Sequence, residues 1–272
     1  MENKAMKKVF ASAIAAAMLF SVMLTSASAA EIICWFPPDW SSKTQQAQDI
    51  TKALSDKTGL TIKPQIAISY PEIIKAFSST SQNLVYVGSF VQAIIKAKDL
   101  GTALVQNIDG KELYSGVLVY IKGRNPEDIL KNSPTEIAFA KAASSGETAA
   151  KAATGGKANL ARASHAEACT AVVTGRAQAG VVKNWWWEKN KDKFPTLDMY
   201  KIPGISIEKN PDNILTASKS IPADIQAKIS AAAIASSAAF GAPKMAPFDQ
   251  SRLAFPLELM KKGHIDPKNY TF

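Results

Sequence analysis

Residues 164–182 read SHAEACTAVVTGRAQAGVV, and they carry the unit from which the rest of the chain is built. Ser164 with Glu167 forms a capping box, which opens a helix. Gly175 suits the position just past that helix, where the backbone turns left-handed. Ala177–Val182 then closes on an apolar, β-branched run that reads as a strand. The same alternation extends in both directions. Upstream, Glu31–Phe36, Leu60–Ile68, Leu84–Val87, Thr102–Gln106, Gly116–Ile121 and Glu136–Ala140 read as extended. Helices fall between them at Thr44–Thr58, from Ser69 through Pro71 and Glu72, at Phe90–Lys98, after Asn125, and after Ser144-Ser145-Gly146. Downstream, Asn184 reads as the cap of a short helix, Asp198–Ile202 and Asn213–Ser218 as extended, and Pro222–Ser236 and Pro256–Lys262 as helices. Short strands alternating with helices predict an α/β protein with parallel sheets. Two such halves with no low-complexity linker predict two lobes joined by crossing strands.

The N-terminus reads as a leader rather than part of the fold. Lys4, Lys7 and Lys8 precede an uncharged apolar run from Val9 to Leu24, and Ala27-Ser28-Ala29 fits a small-residue cleavage site. The run is shorter than the roughly 20 residues a membrane span needs. Residues 1–29 are therefore expected to be a cleaved signal peptide, with the mature chain outside the cytoplasm. The formal net charge is +9 over 272 residues, and Glu2, Lys4, Lys7 and Lys8 contribute +2 of it, leaving +7. The lysines are scattered, and no Arg-rich helix or aromatic–basic repeat points to nucleic acid. A basic surface and a field that favours anionic ligands both fit this charge. Two cysteines, Cys34 and Cys169, read as small buried hydrophobes. Two histidines and no Cys/His spacing offer no metal site.

Catalysis finds no footing in the motifs. His165 and His264 lie outside any recognisable triad signature, and no nucleophile elbow, Walker loop or dinucleotide fingerprint occurs. Ser144-Ser145-Gly146 is the informative stretch. At a strand-to-helix turn, free backbone N–H groups and the positive helix end can hold an anion, two hydroxyls add donors, and glycine lets the backbone come close. A simple helix cap uses the same residues, and Glu147 in the first turn competes for the same dipole.

Taken in order, Ser144-Ser145-Gly146, Ser164-His165-Ala166-Glu167-Ala168 and Thr174–Val182 resemble the phosphonate-binding type of periplasmic ABC-transporter receptor. That family's pattern runs S-T-S-G, then S-H-D-A-A, then N-G-x-V-D-A-G-A-V. Tyr70–Phe77, Tyr114–Val119, Ile202-Pro203-Gly204, Pro211-Asp212-Asn213 and Ser220–Asp224 resemble further elements, so the likeness covers about 31–235.

The resemblance implies a two-lobe type II periplasmic binding protein fold with a ligand cleft between the lobes. Lobe one would be 31–117 plus 215–272, and lobe two 118–214. It implies Tyr70 and Tyr114 as phenol donors from lobe one, and Ser144, Ser145, the Gly146 amide and His165 as oxoanion contacts from lobe two. It implies an ABC permease as partner, no cofactor, no catalysis, no nucleic acid and a monomer.

The chain departs from the pattern at two positions. Ala143 replaces the family's first serine, and Lys183 stands roughly where the family has an acidic residue that suits a ligand ammonium. Lys183, as a site residue, would favour a simpler or more anionic ligand. Trp185-Trp186-Trp187 point three ways on one helix, so one at most walls the cleft. Trp35 and Trp40, around Pro37-Pro38, are expected near the cleft mouth. A sensory partner of a membrane receptor and a binder of a non-phosphorus organic solute are the alternative readings.

Overall fold

Strand–helix alternation places the helices that follow parallel strands at one end of each sheet, and this positions the site. The computed structural model describes residues 31–141 and 145–270. The expected signal peptide and Ser144 lie outside the described residues.

The first sheet contains β1 (Ile32–Phe36), β2 (Ile62–Ile66), β3 (Asn83–Val87) and β4 (Gly101–Ile108). A short hinge strand, β5 (Leu113–Tyr114), leads to the second sheet, with β6 (Gly116–Ile121), β7 (Ile137–Ala140), β8 (Leu160–Arg162), β9 (Ala179–Lys183) and β10 (Leu197–Tyr200). The chain returns through β11 (Asn210–Pro211) to β12 (Ile214–Ser218) and β13 (Lys244–Pro247) in the first sheet. The helices are α1 (Thr44–Thr58), α2 (Tyr70–Phe77), α3 (Ser89–Ala97), α4 (Pro126–Asn132), α5 (Ser145–Ala153), α6 (His165–Val173), α7 (Asn184–Asn190), α8 (Ala223–Ile234) and α9 (Ala254–Lys262).

The sheets run β13-β4-β12-β3-β1-β2 and β10-β6-β9-β7-β8. Each holds a parallel trio: β1 pairs with β2 and β3, and β7 pairs with β8 and β9. The expectation of parallel sheets holds only for these trios. Strands adjoining the crossings are antiparallel, β12 against β3 and β4, and β6 against β9 and β10. The two crossings themselves pair antiparallel, Tyr114 opposite Asn210 and Leu113 opposite Pro211.

Within the trios, β3, β7 and β9 are buried on two faces, which explains their apolar runs, while the outer strands β2 and β8 keep exposed residues. In β3, Leu84 and Tyr86 face one core with Ile50 and Leu54 of α1, while Val85 and Val87 face another with Ile73 of α2 and Ile94 of α3. In the second sheet Leu118 and Val181 meet Ala149 of α5, and Val119 and Val182 meet Cys169 and Val172 of α6. Cys34 and Cys169 are buried free thiols, as their reading as small hydrophobes requires. Burial pushes the Cys169 thiol up to about 12 and Cys34 higher still.

Local signals fare unevenly. Ser164 Oγ accepts from the Glu167 amide, and the Glu167 carboxylate accepts from the Ala163 amide. Asn125 caps α4 through the Glu127 and Asp128 amides. Asn184 does not cap: it is the first residue of α7, and its carbonyl oxygen accepts from the Ser115 amide instead, tying the helix to the hinge.

The C-terminal helix joins the two cores. Leu259 packs in the core of the second sheet, while Met260 beside it packs in the core of α2 and α3. Beyond α9, Tyr270 stacks edge-on against Phe90 at 5.2 Å and donates its hydroxyl to the Glu147 carboxylate at 2.9 and 3.0 Å. Lys151 also pairs with that buried carboxylate at 2.9 Å. Removing one partner of a buried charged group leaves its desolvation uncompensated, so Tyr270→Phe is expected to destabilise the protein by about 1–3 kcal/mol. Urea unfolding of both proteins measures this, and equal midpoints would contradict it.

Candidate functional site

The two parallel trios aim their carboxyl ends at one region, where ligands of open α/β sheets gather. Each strand delivers one residue there. Asp39 follows β1 in the 3-10 turn Pro38–Lys43, Tyr70 begins α2 after β2, and Ser89 begins α3 after β3. From the second sheet, Ser145 begins α5 after β7, His165 begins α6 after β8, and Lys183 ends β9. The hinge strands add Tyr114, and Asp212 follows directly behind β11.

Tyr114 is the joint. Its ring is buried, its hydroxyl shares a 2.7 Å hydrogen bond with Ser89 Oγ, and the Ser145 side chain lies close enough to act on it electrostatically. The N-termini of α3 and α5, one from each sheet, thus meet at one phenol. Burial and the Asp212 carboxylate drive the Tyr114 hydroxyl far above its ordinary range, so it stays protonated and can donate. Tyr70 is raised by burial, with Asp39, Asp212 and Tyr114 adding to the effect.

Gly146 serves close approach. A Cβ there would lie 2.7 Å from the Val181 carbonyl oxygen and 3.3 Å from His165 Cε1, so only glycine lets α5 start against β9 beside the imidazole. His165 Nδ1 is buried and has no hydrogen-bond partner among the described residues. A buried polar nitrogen without a partner is costly and marks a place where a ligand or water completes the structure. The His165 ring packs on Trp186, with centroids 5.5 Å apart.

Lys183 is not directed to solvent. Its ammonium pairs with the Asp212 carboxylate and lies 4.4 Å from the centre of the Tyr114 ring and 4.7 Å from that of Trp185. Of the three tryptophans, Trp187 is core, Trp186 backs His165, and Trp185 walls the site. Trp40 departs from its expected place at the cleft. It is 6 % exposed and stacks on Phe36 at 4.9 Å in the first core, because the turn after Pro37-Pro38 folds it back onto β1 and β3. Trp35 is held by a 2.9 Å bond from its indole nitrogen to Asn83.

Sequence reasoning missed Asp39, Ser89 and a role for Asp212. The position directly after each parallel strand was the available signal, and Asp39 and Ser89 both satisfy it. Asp39 keeps access to water, yet the surrounding protein raises its carboxyl, with Lys183 and Lys43 opposing that shift and Asp212 reinforcing it. Lysines and carboxylates therefore nearly balance here. Helix ends and hydroxyl donors therefore outweigh net charge in this cluster.

The family model for ABC-transporter, phosphonate, periplasmic substrate-binding proteins matches residues 35–249. The chain belongs to this family. Its members are transport proteins that work beside a membrane permease, not enzymes. Solved structures agree on the two-lobe periplasmic binding fold. A binding protein of a Pseudomonas aeruginosa ABC phosphonate transporter shares 17% identity at a TM-score of 0.64, covering 86% of this chain and 87% of that one. PhnD1 of Prochlorococcus marinus, solved with methylphosphonate, shares 15% identity at 0.63, covering 85% and 97%. A Xanthomonas citri protein solved with chloride shares 9% identity at 0.69, covering 87% and 98%. No curated protein sequence matches the chain significantly.

Within this receptor-family site, burial first and the Lys183 ammonium second push His165 down to about 4 from its ordinary 6.5. The unfolded chain therefore takes up a proton below pH 6.5, while the folded chain does so only near 4. Stability falls as pH drops across that window, by at most about 3 kcal/mol. Asp39, with a raised carboxyl, acts in the opposite sense, so the variant comparison isolates the histidine. His165→Asn is expected to flatten the decline in denaturation midpoint between pH 6.5 and 4.5, and an unchanged decline would reject the assignment.

Proposed function

We propose that this protein is the exported binding component of an ABC importer and captures a small phosphonate-like oxoanion between two lobes. Lobe one comprises 31–117 plus 215–272, and lobe two 118–214. The observation that carries this reading is the meeting of helix starts from both sheets, with Tyr70, Ser89 and Ser145 near the Tyr114 hydroxyl and His165 beside Gly146. Helix N-termini present unpaired N–H donors and a positive dipole end, and here they come from both sheets. A ligand oxoanion at that point takes the α5 amides, including Gly146, the hydroxyls of Ser144 and Ser145, and His165. Tyr70 and Tyr114 approach from the first sheet.

His165 fits this role as a neutral imidazole, which carries one N–H donor without adding a charge that the cleft would have to balance. Trp185 supplies an apolar face for the ligand's organic substituent, which favours an organophosphonate over bare phosphate. Contacts from both lobes make affinity greatest in the closed form, so ligand shifts the population toward closure and the permease reads that state. The leader at 1–29 would deliver the chain to the periplasm, where it acts as a monomer. Nothing in this cycle breaks or makes a covalent bond.

Calorimetric titration of the chain from residue 30 with methylphosphonate is expected to give saturable one-to-one binding without turnover. Ser145→Ala and Tyr114→Phe each remove a donor to a charged group and are expected to weaken binding about tenfold or more. Flat titrations with methylphosphonate, phosphite, phosphate and sulfonates alike would reject the oxoanion reading.

A further inference from the structure

Three surfaces around the Lys183 ammonium build a seat for a cation. The Asp212 carboxylate pairs with it from one side. Tyr114 and Trp185 present ring faces to it at 4.4 and 4.7 Å, and the two rings stand edge to face with centroids 6.2 Å apart. A carboxylate with two electron-rich faces is the chemistry by which proteins hold alkylammonium groups. The seat is also shaped in advance. Gly88 lets Asp212 pack against the backbone, because a Cβ there would come within 2.4 Å of Asp212 Oδ1. The Lys183 and Asp212 side chains are 21 % and 13 % exposed, so water screens the pair only in part.

We propose that Lys183 is the protein's own permanent occupant of this cation seat, and that the site consequently selects anions with an uncharged substituent over anions carrying a primary ammonium. This inference rests on the oxoanion reading above. The reasoning is competition. A ligand ammonium must displace a tethered ammonium whose effective concentration is high, or lie beside it at the cost of like-charge repulsion. Asp39 offers no second free seat, since Lys43 and Lys183 both face it. Truncating Lys183 empties the seat and leaves its three walls standing.

Two measurements on wild type, Lys183→Ala and Lys183→Met test the proposal. The first needs no oxoanion. Ethylammonium chloride is expected to raise the melting temperature of Lys183→Ala saturably, beyond an equal concentration of sodium chloride. Wild type and Lys183→Met, whose seats are filled by an ammonium and a thioether chain, should show no such rise. The second compares ethylphosphonate with aminomethylphosphonate, which differ by a methyl for an ammonium. Wild type is expected to prefer ethylphosphonate by about tenfold or more, and Lys183→Ala to shift that ratio toward the amine by a similar factor.

Ethylammonium rescue with no phosphonate binding in any protein would uphold the seat and reject the oxoanion reading alone. Equal wild-type affinity for the two phosphonates overturns the proposal with no variant involved. Absence of ethylammonium rescue in folded Lys183→Ala, or an unchanged ligand ratio, overturns it as well.

Discussion

The hydroxyl of Tyr114 bonds Ser89 at the start of α3 with Ser145 at the start of α5 beside it, and most of the site's arrangement follows from that meeting. Helices that follow parallel strands must begin at the carboxyl edge of the sheet, with their free N–H groups pointing out of it. One sheet alone would present those groups to water. Here β5 and β11 cross side by side between two sheets, and Tyr114 reaches Ser89 of α3 and Ser145 of α5 from that crossing. The donors of α2, α3, α5 and α6 thereby face a common space. The joint lies on the crossing strands rather than within either sheet.

Electrostatics within that space are nearly neutral by side-chain count, and under the oxoanion reading this decides how the ligand would be recognised. Lys183 is matched by Asp212, and Asp39 is faced by Lys43. A free lysine would attract any anion from a distance, with little regard for shape. Fixed amides and hydroxyls act only at contact and in set directions, so they discriminate by geometry. The overall positive charge therefore concerns encounter, whereas the helix ends concern selection. The same balance accounts for a neutral His165, since a buried imidazolium beside Lys183 would add an unmatched positive charge.

How far the sequence could be read depended on whether a signal was local. The cap at Ser164 and Glu167 needs only neighbouring residues, and it formed, with the Glu167 carboxylate reaching one residue further back, to the Ala163 amide. The fully apolar stretches at Leu84–Val87 and Val181-Val182 reported burial on two faces, which is a property of the run itself. Antiparallel additions were illegible because pairing direction depends on where the chain crosses, and no residue between Thr102 and Ile121 encodes it alone. Asn184 looked like a cap because asparagine before a helical run usually is one, yet the Ser115 amide, distant in sequence, competes for its oxygen. Trp40 followed the same logic, with Phe36 and Tyr86 drawing it into the core. Asp39 carries no motif, and Asp212 lies in one that assigns it no role, so their meaning appears only when two sheet edges are brought together.

The position of Glu147 resolves a conflict that the sequence could only pose. A carboxylate in the first turn of α5 strengthens the helix by interacting with its dipole, and by the same interaction it opposes any anion bound there. The side chain escapes that conflict by engaging Tyr270 and Lys151, which hydrogen-bond it among the described residues. Tyr270 in turn packs on Phe90 of α3, so the tail links α5 to the helix of the other sheet that shares the Tyr114 joint. The N-terminal ends of α3 and α5 are tied through Tyr114, and the same pair of helices is tied again through Tyr270. Two ties of different chemistry hold the orientation of the donors, one at the site and one behind it. An anion at the α5 terminus thus meets a dipole whose nearest negative charge has already been given partners by the C-terminal tail.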